Sequence, residues 1–172
     1  MGFTSIIMKK FLLLFIFTFG LLSACKSDKT TTYYLIRHAE KDRTDTKNRN
    51  PDLNKKGQER AKKWANYFKN IDLEAVYSTK YKRTMQTAKR SADSKGLEIQ
   101  NYDPKKMYTA VFQKETKGKK VLIVGHSNTT PVFVNKILGE EKYENMNDTD
   151  NASVYIVMIT GNKKTSTIKI VD

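Results

Sequence analysis

The chain has a single cysteine among 172 residues, which excludes an intrachain disulfide and any multi-cysteine metal site. Histidine is nearly as scarce, with two, and these do not have the H-E-x-x-H spacing of a helical zinc site, so metal-dependent hydrolysis has little to build on. Repeat arrays and coiled coils are also excluded, because no repeat at solenoid periods and no sustained heptad run occurs. The apolar run Phe11 to Leu22 is 12 residues long, too short for a bilayer span of about 20. Acidic side chains are few, 18 against 32 Lys plus Arg, giving a formal charge of +14. Such a surface draws anions: nucleic acid, acidic lipid headgroups or phosphorylated small molecules. No basic helix with interleaved aromatics accompanies the charge, which argues against nucleic acid. With 38% hydrophobic residues, the chain suits one domain around one core.

Lys9-Lys10 followed by FLLLFIFTFGLL is the layout of a secretory signal. The run ends in Leu22-Ser23-Ala24-Cys25, which resembles a bacterial lipobox, where cleavage precedes a cysteine that carries lipid. On this reading residues 1–24 are a signal peptide, Cys25 is the lipidated N-terminus, and Lys26 to Thr32 is a polar tether reaching about 25 Å at most. Met8-Lys9-Lys10 is itself a typical signal start, so Met8 is an alternative first residue. The expected location is the cell envelope, outside the cytoplasm, with the lipid anchor as the membrane partner. Among the basic residues only Lys9 and Lys10 fall in the leader, so the basic bias belongs to the domain itself.

Tyr33 to Arg37 is a short β-rich run, and Ala61, Trp64, Ala65 and Phe68 recur at helical spacing after a long polar stretch. Ala75 to Tyr77 predicts a second strand, with Ser78-Thr79 as N-cap candidates for a helix carrying Met85, Ala88 and Ala92 and stopping at Gly96. Leu97 to Tyr102 predicts a third strand and Lys105 to Lys117 a helix. Val121 to Val124 is a continuous apolar run, as in a central parallel strand, and Thr130 to Leu138 predicts the helix after it. Val154 to Ile159 and Thr167 to Val171, around Gly161-Asn162-Lys163-Lys164, predict a hairpin or two edge strands. The expected fold is α/β: a three-layer αβα sandwich with a mostly parallel central sheet and a C-terminal edge hairpin. Tyr33, Tyr34 and Trp64 are core candidates.

Ligands of such sheets bind beyond the carboxyl ends of the strands, and both histidines follow strands there. His38 stands in Arg37-His38-Ala39-Glu40, His126 in Gly125-His126-Ser127-Asn128, and Arg83 lies in the opening turn of the helix after the second strand. A neutral imidazole can attack phosphorus. Arginine forks suit the oxygens of the transferring phosphoryl group, and a protonated second histidine adds a donor.

These residues resemble a known pattern. Arg37-His38-Ala39-Glu40 is similar to the Arg-His-Gly motif of the histidine phosphatase superfamily, the phosphoglycerate-mutase-like phosphatases. Leu53-Asn54-x-x-Gly57-Gln58-x-Arg60-Ala61 is similar to the start of that family's first helix. Tyr77-Ser78 with Arg83, Thr84 and Thr87-Ala88 is similar to its Ser-x(4)-Arg element, and Gly125-His126-Ser127 to its Gly-His motif. The resemblance implies that residues 33–172 form the phosphatase domain and that His38 is the phosphorylated nucleophile. It further implies a phosphate pocket of Arg37, Arg83 and His126, lined by Asn128, acting on a phosphorylated small molecule without metal or other cofactor. Ala39 replaces the usual Gly, and Asn54 replaces a Thr whose capping it can match.

The short interval from Arg83 to His126 leaves no room for a large cap, so the implied type is a small, uncapped phosphatase. That interval holds Asp93, Glu98, Asp103 and Glu115 as candidates for the proton donor to a leaving alkoxide. Asp103 is preferred because it closes the third strand on the histidine rim; its other role would be an Asx turn before Pro104. Glu40 and Glu115 are the next candidates. Lys41, Arg43, Lys47 and Arg49 read equally as solvated loop or substrate contacts. The alternatives to a phosphomonoesterase are a phosphohistidine phosphatase of phosphoproteins and a non-catalytic, anion-binding lipoprotein. Because nothing else in the chain is apolar and long enough to anchor it, Cys25→Ser is expected to move the protein from the membrane to the soluble fraction or to stall its processing. Fractionation and immunoblotting measure this, and unchanged attachment with normal processing would count against lipidation.

Overall fold

Strand β1 (Thr31–Arg37) begins two residues earlier than the sequence pattern suggests, so Thr31 and Thr32 belong to the sheet and not to the tether. The computed structural model describes residues 29–172; the signal-like leader and Cys25 lie outside the described residues. After β1 come α1 (Lys55–Tyr67), β2 (Ala75–Ser78), α2 (Lys82–Asp93), β3 (Ile99–Asn101), α3 (Ala110–Thr116), β4 (Lys120–Gly125), α4 (Thr129–Leu138), β5 (Ser153–Thr160) and β6 (Lys163–Ile170). They form a three-layer α/β sandwich.

The six strands lie in the order β3-β2-β4-β1-β5-β6. The first four are parallel, and β5 and β6 run antiparallel. Steps β1 to β2 and β2 to β3 advance one way across the sheet and β3 to β4 returns, so right-handed crossovers place α1 and α2 on one face and α3 on the other. Strand alternation serves both faces. Tyr33, Leu35, Val121 and Ile123 pack with Phe112 of α3 and Phe133 of α4, while Ile36, Leu122 and Val124 pack with Trp64 of α1 and Ala88 of α2. Tyr33 and Trp64 are buried as expected, and Tyr34 meets Phe68 edge-on at 5.5 Å.

Two departures from the sequence pattern have local causes, and the tail follows its pattern. The expected helix from Lys105 to Lys117 is confined to α3, because Tyr108 has φ 52 and Thr109 caps the Phe112 amide at 3.2 Å. The tail forms the expected C-terminal hairpin, β5 pairing antiparallel with β6; β5 lies inside the sheet beside β1, and β6, rich in lysine, forms the edge. Ser78 and Thr79 do not cap α2. Tyr81 occupies the N-cap position without a side-chain bond, and Asn50 Oδ1 instead accepts the Lys82 amide at 2.8 Å. Gln86 of α2 in turn accepts the Leu53 amide at 2.8 Å and donates to Asp52 at 2.7 Å. The long polar loop after His38 is therefore latched to α2.

Helix α1 starts as its sequence suggests, with Asn54 Oδ1 accepting the Gly57 amide at 2.9 Å. Gly57 is required for a tertiary reason, since a Cβ there would lie 2.1 Å from the Glu40 carbonyl oxygen, a backbone atom that cannot yield. Helix propensity alone favours Ala over Gly by about 1 kcal/mol. The contact reverses the sign: Gly57→Ala is expected to destabilise the fold by about 1–3 kcal/mol, the cost of overpacking, and to displace the backbone next to His38. Urea denaturation checks the first effect and the NMR shifts of the His38 ring the second; unchanged or increased stability would show that the loop yields freely.

Candidate active site

Parallel pairing of β1 with β4 sets Arg37 opposite Gly125, so His38 and His126 leave adjacent strands side by side. Their ring centroids are 5.4 Å apart. Strand β2, on the other side of β4, ends at Ser78, and Thr79 and Arg83 follow. Arg37, His38, Arg83, His126 and Asn128 line one cleft of about 350 Å³, together with Tyr81 and Ser127. Asn128 sits at the N-cap of α4 without a side-chain capping bond, so the helix N-terminus faces the same cleft and favours an anion there.

The backbone of His38 is held by its amide to Gly125 O at 2.9 Å and by Asn151 Nδ2 donating to His38 O at 2.8 Å. Its Nδ1 lies 2.8 Å from the Ala39 carbonyl oxygen. A carbonyl only accepts, so Nδ1 carries the proton and Nε2 keeps its lone pair. Burial, joined by the Arg37 and Arg83 charges and opposed by the bond to Ala39, pushes the imidazole down to about 3. His38 is therefore a neutral, oriented base at physiological pH. Ala39 is buried beside Leu53 and Ala61, and its amide donates to Thr87 Oγ1 at 2.9 Å.

His126 is also pushed down, to about 4, first by burial and then by Arg83, Arg37 and Lys41. In the neutral ring, Nδ1 accepts from Arg83 Nη2 at 3.4 Å, and Nε2 donates to Thr79 Oγ1 at 3.0 Å. Thr84 Oγ1, 3.0 Å from Thr79 Oγ1, donates to the Thr79 carbonyl at 2.8 Å. Tyr81 meets the His126 ring edge-on at 5.1 Å and carries the Arg83 guanidinium 4.5 Å above its own ring.

Arg37 is 2% exposed. Its Nη1 donates to Asn147 O at 3.0 Å and Asp150 O at 3.3 Å, and its Nη2 donates to Asp148 Oδ1. Asp148 also accepts from Arg43 at 2.6 Å, and these arginines hold its carboxyl below the usual range. The Nε atoms of Arg37 and Arg83 are buried without a partner. Buried donors normally find acceptors, and an oxyanion in the cleft would supply them.

The structure thus brings together Arg37, His38, Arg83, His126 and Asn128. It does not bring Asp103 with them. That side chain is exposed, its Oδ1 accepts the Lys105 amide at 2.8 Å, and Pro104 forms the cleft wall instead. Glu40 accepts from Arg60 Nε at 3.0 Å, and Glu115 lies on α3, on the far side of the sheet. Sequence reasoning missed Thr79, taken there as a helix cap, and the segment Asn147 to Asn151 that grips Arg37 and His38. Its only sequence signal was a polar Asn-Asp-Thr-Asp-Asn run just before a strand. Among the described residues no group of three or more His, Cys, Asp or Glu is placed to hold a metal ion.

Residues 33–104 match the family model of the histidine phosphatase superfamily (branch 1). No protein of curated function matches the sequence at a significant level. Several solved structures are similar in fold. Phosphoglycerate mutase from Bacillus anthracis is 17% identical at a TM-score of 0.62, covering 84% of this chain and 94% of that one. The protein histidine phosphatase SixA, in complex with tungstate, is 15% identical at a TM-score of 0.64, covering 81% and 96%. Phosphoserine phosphatase from Entamoeba histolytica, in complex with 3-phosphoglyceric acid, is 13% identical at a TM-score of 0.59, covering 82% and 96%. At these identities the likeness is one of fold. The matched segment holds Arg37, His38 and Arg83, while His126 lies beyond it and joins the site through the pairing of β1 with β4.

Proposed function

We propose that the protein is a phosphatase of the histidine phosphatase superfamily, hydrolysing phosphomonoesters through a phosphohistidine on His38. The observation that carries this reading is the His38 ring: Nδ1 is tied to Ala39 O, and Nε2 is left with a free lone pair in a cleft that holds two arginines. Nε2 attacks phosphorus, the bond from phosphorus to the ester oxygen breaks, and the leaving oxygen takes a proton from solvent water, which the second step returns. Water then attacks the phosphohistidine, giving inorganic phosphate and restoring the neutral ring. Arg37 and Arg83 supply fixed donors for the equatorial oxygens, so the charge stabilisation needs no metal. Burial and the neighbouring cations keep His126 neutral; a bound dianion offsets the cationic part and raises its affinity for a proton, which gives the pocket another charged donor. The lipobox-like leader supports a lipid-anchored enzyme at the cell envelope.

A second reading is favoured by the carboxylates. Asp103 lies outside the cleft, Glu40 is bound to Arg60, and Asp148 is bound to Arg37 and Arg43. Among the described residues no carboxylic acid lining the cleft is unpaired to protonate an alkoxide. An imidazole leaving group depends less on such help, so a phosphohistidine substrate is the alternative.

Acid-quenched full-length enzyme given labelled substrate is expected to carry an acid-labile, base-stable phosphate that His38→Ala lacks. Turnover without a trappable label, together with an active His38→Ala, would sink the mechanism. Parallel rates on an alkyl phosphate and on phosphohistidine decide between the two substrate readings.

The lowered values of both histidines set the pH behaviour. A depressed imidazole stays neutral until the pH falls to its new value, so neither ring should titrate between pH 5 and 8 in the free enzyme, where an ordinary histidine changes near 6.5. NMR of the imidazole protons checks this, and inorganic phosphate is expected to raise the His126 midpoint. An inflection near 6.5 in the free enzyme would mean that burial does not hold the rings neutral.

A further inference from the structure

The loop after the nucleophile carries a cation that the chemistry above does not use. Lys41 lines the phosphoryl cleft and also the cleft adjoining it, which Arg43, Asn54, Lys56 and Thr149 help to form. Its backbone is fixed by a bridge to Leu53 and by Asn54 Nδ2 donating to its carbonyl at 3.3 Å. The side chain is partly buried, and its ammonium makes no hydrogen bond or ion pair among the described residues.

The neighbours make that position costly. Burial, Arg43, Arg83 and Arg37 all press the ammonium below its ordinary value, and Asp148 alone opposes them. Among the described residues no carboxylate pairs with Lys41: Asp148 holds Arg37 and Arg43, Glu40 holds Arg60 and Lys56, and Asp42 accepts the Thr44 amide at 2.9 Å. A phosphoryl group entering the cleft would meet the unpartnered Nε donors of Arg37 and Arg83, while Arg43 keeps Asp148. Among the described residues Lys41 is then a cation at the mouth with no counter-charge. A half-buried ammonium among three guanidinium groups is tolerated where a ligand supplies the missing negative charge.

We infer that Lys41 forms a second anion subsite beside the phosphoryl pocket, so that the preferred substrate carries a carboxylate or a second phosphate on the leaving-group side of the scissile phosphate. This rests on the phosphatase reading and narrows its substrate class.

Three esters that share a three-carbon chain separate the possibilities: the monophosphates of propane-1,3-diol and of 3-hydroxypropionate, and propane-1,3-bisphosphate. With full-length enzyme in detergent, kcat/KM is expected to be at least about tenfold higher for one or both doubly anionic esters than for the diol ester, mainly through KM, and to decline with added salt. Whichever of the two is preferred identifies the second group. In Lys41→Met, which keeps the length of the side chain and removes its charge, the ratio of doubly to singly anionic ester should fall to near one. Equal use of all three esters by the wild type overturns the subsite and leaves the phosphatase intact. A preference that survives in Lys41→Met overturns its assignment to this residue. No turnover of any ester, p-nitrophenyl phosphate included, overturns the phosphatase reading and the subsite with it.

Discussion

The candidate site depends on the register between β1 and β4. These strands are far apart in sequence, yet Tyr33 to Arg37 run residue for residue beside Val121 to Gly125. A slip of one residue would turn the apolar side chains of β1 from one helix layer to the other. The register is specified because both faces are buried, with Leu35 and Ile36 each at 0% exposure on opposite sides. Packing of the core thus fixes the spacing of the two imidazoles, and the site inherits its precision from buried hydrocarbon.

The second constraint is electrostatic. Positive charge is concentrated where β1, β2 and β4 end, and the domain keeps it there by bonding each arginine to something already fixed. Arg37 is gripped by two carbonyls and a carboxylate from the segment before β5, and Arg83 by the Tyr81 ring and His126. Burial, with that field added to it, keeps both histidines neutral. Neutrality suits a nucleophile, since a protonated imidazole has no lone pair to donate. The same field leaves Lys41 unbalanced, which ties the electrostatics of the free protein to the charge of what it binds.

Local contacts carry part of the cost of arranging the site. The loop from Lys41 to Leu53 is polar and exposed along much of its length, yet Asn50, Asp52 and Leu53 all bond to α2. That helix also carries Arg83. The loop after His38 and Arg83 are therefore tied to the same helix, and Gly57 seats the start of α1 directly on the Glu40 backbone.

Much of this was legible in the chain. Alternating strand and helix patterns imply the parallel sheet, because apolar periodicity of 2 and of 3.6 residues reports which faces are buried. His38 and His126 stand just after strands, Arg37 ends the strand before His38, and Arg83 opens the helix after β2, so the carboxyl-end rule places them on one rim. The segment from Asn147 to Asn151 was not legible: it is polar, short and aperiodic, and its role comes from β5 lying beside β1. Thr79 reads as a helix cap locally and becomes a histidine partner only through the adjacency of β2 and β4. Asp103 shows the limit from the other side, since it ends the right strand but spends its carboxylate on its own turn. Sequence by itself determined what each segment prefers locally, because backbone propensity and burial patterns act over a few residues. Which side chains meet was decided only by tertiary structure, because strand order and register bring together residues more than a hundred positions apart.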